Sequence, residues 1–118
     1  MPKAKLRHVA INCEDLEGEA QFMKDAFELE EVGRAGDVTR SGAIYLSDGT
    51  VNIALIKIED PDFPNYNPQG LNHIGFVTPD LDGSIDAAEA AGAKSMVDRN
   101  NKITEKDEAN GYLLFEYK

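Results

Sequence analysis

The chain has 118 residues, the length of one ordinary domain. Its hydrophobic share of 42% suffices for a packed core, and 12 basic against 22 acidic residues give a formal net charge of −10, which argues against nucleic acid and anionic membranes as partners. The single cysteine, Cys13, excludes an intramolecular disulfide and a structural cysteine–zinc site.

The basic start Met1-Pro2-Lys3-Ala4-Lys5 leads into a strand-like segment, and no apolar run approaches the ~20 residues of a membrane helix. A soluble, cytoplasmic protein is the expectation. Residues 5–13 read as the first strand. Period-2 alternation sets Leu6, His8 and Ala10 on one face and Val9 and Ile11 on the other. A helix follows over about 16–29, with Leu16, Ala20, Met23 and Phe27 as its apolar stripe and Asp15 as its N-cap. Residues 14–31 carry eight acids against one base, Lys24, which reads as a solvated outer face. Three strand candidates come next, at 31–36, 43–47 and 51–58, the last two joined by the Asp48-Gly49 turn. Residues 59–70 hold Pro61, Pro64 and Pro68 and read as a linker.

Beyond the linker the chain repeats itself. A shift of 65 residues lays Leu6-Arg7-His8-Val9-Ala10-Ile11 on Leu71-Asn72-His73-Ile74-Gly75-Phe76, and Asp15-Leu16-Glu17-Gly18 on Asp80-Leu81-Asp82-Gly83. Five of the thirteen pairs from 6 to 18 are identical without a gap, and the only two histidines superimpose. The second copy therefore predicts a strand at 71–78 and a helix from Asp80, with Leu81, Ile85 and Ala88 inward and Gly92 as a stop. A short strand near 95–98, a polar stretch 99–110, an Asn110-Gly111 turn and a last strand 112–118 complete it. The shift would carry 51–58 beyond residue 118. The second module is thus either compressed within 98–110 or without its fourth strand. In the latter case 112–118 is its third strand and the open sheet edge would need a neighbouring subunit to cover it.

The expected fold class is α+β: paired βαβββ modules (about 5–58 and 71–118) forming one curved, mostly antiparallel sheet with both helices outside and a concave inner cavity. The two histidines, at matching places on matching strands, would face each other there. Apolar walls with a few polar groups are the features of a small-molecule site.

This plan, the strand starts Leu6-x-His8-Val9 and Leu71-x-His73-Ile74, and the Asp-Leu helix starts resemble the vicinal oxygen chelate superfamily. That group includes lactoylglutathione lyase (glyoxalase I), extradiol dioxygenases, methylmalonyl-CoA epimerase, and fosfomycin- and bleomycin-resistance proteins. The resemblance covers about residues 5–97, and the segment from Asn67 to Phe76 is especially similar to the dioxygenase-like members. It implies a small-molecule substrate, a homodimer, and a divalent metal (iron, manganese, nickel or zinc) held on the inner sheet face, with His8 and His73 as the first-strand ligands. The fourth strand of module one should offer a glutamate in the glyoxalase and epimerase pattern. Ala54 stands at or near that place and cannot ligate, which leans toward the two-histidine, one-carboxylate set of the dioxygenases.

The third ligand would be Glu116. The family pattern places its glutamate three residues after the position of Tyr112, which is Phe115, one residue short. Two readings stand: Glu116 faces the cavity, since an unpaired charge under a helix costs several kcal/mol, or the carboxylate is lost. Asn12, Asn52, Ala54 and Tyr45 are expected cavity-lining residues, with sheet polarity and core packing as the competing roles. Cys13 has no adjacent base and is not expected to be a nucleophile. The leading function is a metal-dependent enzyme, dioxygenase-like or lyase-like. The alternative is a metal-free small-molecule or drug-binding protein of the resistance type.

Overall fold

The computed structural model describes residues 4–62, 66, 68–92, 106–107 and 111–117, the last two stretches by their backbone. The element order is β1 (Lys5–Asn12), α1 (Leu16–Phe27), β2 (Glu30–Asp37), β3 (Ser41–Ser47), β4 (Asn52–Lys57), β5 (Gly70–Thr78), α2 (Leu81–Ala90), β6 (Lys106–Asp107) and β7 (Gly111–Tyr117). The seven described strands join one sheet in the order β2-β3-β4-β1-β5-β7-β6. Among them β1 and β4 run parallel, and the other five pairings are antiparallel. The α+β class and the shared, mostly antiparallel sheet are those expected from the repeat. The strand expected near 95–98 lies outside the described residues.

Both helices start by one device. Asp15 caps α1 by accepting from the Gly18 N–H at 2.9 Å, and Asp80 caps α2 by accepting from the Gly83 N–H at 3.0 Å. An ideal Cβ at either glycine would stand 2.2 Å from the capping carboxylate. The repeated Asp-Leu-x-Gly is thus a cap together with the bare backbone that lets the carboxylate close in.

The core lies on one side of the sheet. Leu16 and Ala20 of α1 pack on Ile44 and Leu46 of β3 and Leu55 of β4, all 1% exposed or less. Arg34 of β2 reaches Glu17 of α1 (2.7 Å) and Glu31 of its own strand (2.7 Å), and Lys24 of α1 reaches Glu31 at 2.8 Å. Register carries the same face across the sheet: Ile53 pairs with Val9, and Val9 with Ile74. Two residues apart on β5 from Ile74, Phe76 and then Thr78 share that face. Thr78 is fully buried and its hydroxyl is 2.7 Å from that of Ser84 in α2. Both helices therefore cover one face and leave the other to the histidines.

The modules differ at one point. In module one the strand beside β1 is parallel to it. In module two the strand beside β5 is β7, antiparallel, followed by antiparallel β6. Relative to the first strand of its module, β7 has the direction of β3 and β6 that of β2. Among the described residues no strand runs parallel beside β5.

Candidate functional site

The helix-free face of the sheet gathers the polar residues that alternation had assigned to it. His8 pairs with Asn52, and Ala10 with Ala54 on one side and His73 on the other. Tyr45 pairs with Ala54, and Asn12 with Ile56. Side chains of directly paired residues stand on the same face. His8, Asn12, Asn52, Ala54, Tyr45 and His73 thus share one surface.

The two imidazoles meet there, with ring centroids 5.1 Å apart and planes inclined by 27°. The cause is the antiparallel pairing of β1 with β5. It sets His73 opposite Ala10, two residue pairs from His8 opposite Gly75 and hence on the same face. Gly75 has no side chain to intervene. Each ring is anchored through Nδ1: that of His8 lies 2.8 Å from Asn52 Oδ1 and that of His73 lies 2.7 Å from Asn72 Oδ1. A carboxamide oxygen can only accept, so each Nδ1 carries the hydrogen; in the neutral form of such a ring the lone pair lies on Nε2.

The sequence did not single out Asn72. Adjacent residues of a regular strand point to opposite faces, so Asn72 should have turned away from His73. A register irregularity intervenes: Ala10 pairs with His73 but Ile11 pairs with Leu71, leaving Asn72 as the extra residue of β5. Asn72, 9% exposed, donates from Nδ2 to Asn12 Oδ1 at 3.4 Å, and Asn12, 2% exposed, donates to the Gly70 carbonyl at 3.3 Å. No sequence signal marks such a bulge.

Two imidazoles bound to one ion at N–metal distances of about 2.1 Å, roughly at right angles or slightly wider, have their centroids about 5 Å apart. The His8–His73 spacing and the Nε2 lone pairs fit such a pair of ligands. Ala54 is 1% exposed on the same face and offers no donor atom. Among the described residues no group of three or more histidine, cysteine, aspartate or glutamate side chains is placed to hold a metal ion. The side chain of Glu116 lies outside the described residues. Its backbone sits where the β5–β7 register shifts, between Phe115 opposite Gly75 and Tyr117 opposite Ile74.

A cavity of about 170 Å³ opens at the ends of β1 and β4, lined by Cys13, Ile56, Lys57, Tyr66 and Pro68 among others. It is smaller than the ~300 Å³ and upward of a ligand pocket. Burial, then Glu19 and Asp15, push the Cys13 thiol up to about 11, which keeps it protonated and unreactive. No helix among the described residues is long and apolar enough to cross a membrane.

A sheet built from two such modules, with paired histidines on its helix-free face, defines a class. The family model described as the Glyoxalase/Bleomycin resistance protein/Dioxygenase superfamily matches residues 7–112, and the chain belongs to that superfamily. Among solved structures it is similar to a hypothetical protein of Bacillus halodurans C-125, at 15% identity and a TM-score of 0.67, covering 94% of this chain and 82% of that one. A methylmalonyl-CoA epimerase in complex with methylmalonyl-CoA and an ammonium ion is similar at 19% identity and a TM-score of 0.64, covering 92% and 81%. The Mycobacterium tuberculosis methylmalonyl-CoA epimerase follows at 18% identity and a TM-score of 0.62, covering 91% and 74%. No curated protein matches the chain in sequence.

Proposed function

We propose that the chain is a small-molecule enzyme of this superfamily in which His8 and His73 hold a divalent cation through Nε2. The observation that carries this reading is the pair of neighbouring imidazoles, 5.1 Å apart and both anchored at Nδ1 by a carboxamide oxygen. When bound, the cation supplies Lewis acidity toward neighbouring oxygens of a substrate. The protein's own part is orientation: Asn52 and Asn72 hold the rings through Nδ1. Tyr45 borders the same surface with a hydroxyl able to donate to a substrate oxygen. Glu116, on the strand paired with that of His73, is the proposed third ligand.

The substrate class is a small compound with two adjacent oxygens. The similar epimerase bound to methylmalonyl-CoA supports a carbonyl substrate and proton movement beside that carbonyl. Ring cleavage of a catechol would use the same two imidazoles. Solvent-deuterium exchange into a thioester, set against oxygen uptake with a catechol, separates the two chemistries. A symmetric homodimer in the cytoplasm completes the reading.

Elemental analysis of the purified protein tests it. One divalent ion per chain is expected, lost in His8→Ala and in His73→Ala and weakened in Glu116→Gln. Unchanged metal content in both histidine variants refutes the metal reading. The second reading, a metal-free binding protein, is favoured by the donorless Ala54. It predicts ligand-dependent thermal stabilisation that chelators leave unaltered.

A further inference from the structure

The amides beside His73 form a chain with only one consistent direction. The Gly70 carbonyl can only accept, so Asn12 must turn its Nδ2 toward it, across 3.3 Å. Asn12 then presents Oδ1 to Asn72, which must answer with its own Nδ2, across 3.4 Å. That leaves Asn72 Oδ1 facing His73 Nδ1 at 2.7 Å, so Nδ1 must carry the hydrogen. Both asparagines are buried, at 2% and 9% exposure, where a reversed amide would set oxygen against oxygen or nitrogen against nitrogen.

We infer that Asn12 and Asn72 are positioning residues: a two-amide relay, read out from the backbone carbonyl of Gly70, that fixes His73 as its Nδ1–H tautomer and keeps the Nε2 lone pair for a ligand. The relay depends on the bulge that makes Asn72 the extra residue of β5. Regular pairing would send its side chain to the helix side. It has no counterpart in module one, where the shift of 65 puts Arg7 in the place of Asn72 and His8 is anchored from β4 by Asn52. The inference deepens the proposed metal site by naming what orients one of its ligands, and its first measurement needs no metal.

The test is long-range proton–nitrogen NMR of the imidazoles in the metal-free protein labelled with ¹⁵N, at a pH where His73 is neutral. The expected spectrum shows His73 with a protonated Nδ1 and an unprotonated Nε2. A wild-type spectrum with the hydrogen on Nε2 overturns the relay outright, whatever the variants do. Asn72→Leu is expected to mix the tautomers, Asn12→Leu to mix them less, and Asn72→Asp, which keeps the acceptor toward Nδ1 while giving up the donor to Asn12, to hold Nδ1–H through that last link. An unchanged tautomer in a folded Asn72→Leu protein also overturns it. Should Asn72→Leu fail to fold, the wild-type and Asn72→Asp spectra decide. In the metal-loaded protein, Asn72→Leu should weaken metal affinity on the order of 10–100-fold, with Asn72→Asp close to wild type. A wild-type protein that holds no metal yet shows the Nδ1–H signature sinks the metal reading and leaves the relay standing.

Discussion

The paired caps give a prediction in which the usual gain from helix propensity is cancelled. Alanine is favoured over glycine inside a helix by about 1 kcal/mol, so Gly18→Ala should stabilise α1. Here the new Cβ would stand 2.2 Å from Asp15 Oδ2 and 2.8 Å from its Cγ. The carboxylate must swing away and release the Gly18 N–H, and a lost aspartate cap costs about 1 kcal/mol. The two effects nearly cancel, so Gly18→Ala alone should be close to neutral. Asp15→Ala alone should cost about 1 kcal/mol. In that background the carboxylate is gone, and Gly18→Ala should now return about 1 kcal/mol. Urea unfolding followed by circular dichroism on the four proteins measures this as a coupling of about 1 kcal/mol. Additivity within about 0.3–0.5 kcal/mol would refute the steric explanation. The same cycle at Asp80 and Gly83 should give the same coupling, because a Cβ at Gly83 meets its carboxylate at the same 2.2 Å.

Two further outcomes follow from the core and the surface. Leu55 is 1% exposed among Leu16, Ala20, Ile44 and Leu46, so Leu55→Ala should cost about 2–5 kcal/mol in urea unfolding, and a loss well under 1 kcal/mol would mean that this cluster is not the core. Hydrogen bonds from Arg34, then from Lys24, hold the Glu31 carboxyl down to about 2 from an ordinary 4.5. Its folded value is depressed, so its contribution is fully present above pH 4.5 and disappears as the pH falls through 2. The contribution is small because the group is exposed and screened by salt. Arg34→Gln should therefore lower the unfolding midpoint at neutral pH and match wild type below pH 2. A difference that persists in acid would show that Arg34 acts through packing instead.

What the sequence by itself determined is whatever repeats or alternates locally. Period-2 patterning assigned His8, Asn12, Asn52 and Ala54 to one face, because side chains of a strand alternate whatever the strand pairs with. The shift of 65 found both histidines and both caps, because a cap is settled within four residues. The strand Glu30–Asp37 was the faintest element, and its outward side chains explain why: it lies at the sheet edge, and its pattern reports little burial.

The tertiary structure alone decided who stands beside whom. Parallel pairing of β1 with β4 brought Asn52 to His8 across 44 residues of chain, and antiparallel pairing of β1 with β5 stacked the two imidazoles. It also decided that β7 lies antiparallel beside β5, in the direction of a third strand rather than a fourth. Asn72 shows the limit most clearly: its role exists because one extra residue in β5 breaks the alternation from which a sequence is read. Alternation and capping are encoded in neighbouring residues, whereas strand order, direction and bulges are chosen by the packing of the whole sheet, where competing pairings leave the local pattern almost unchanged.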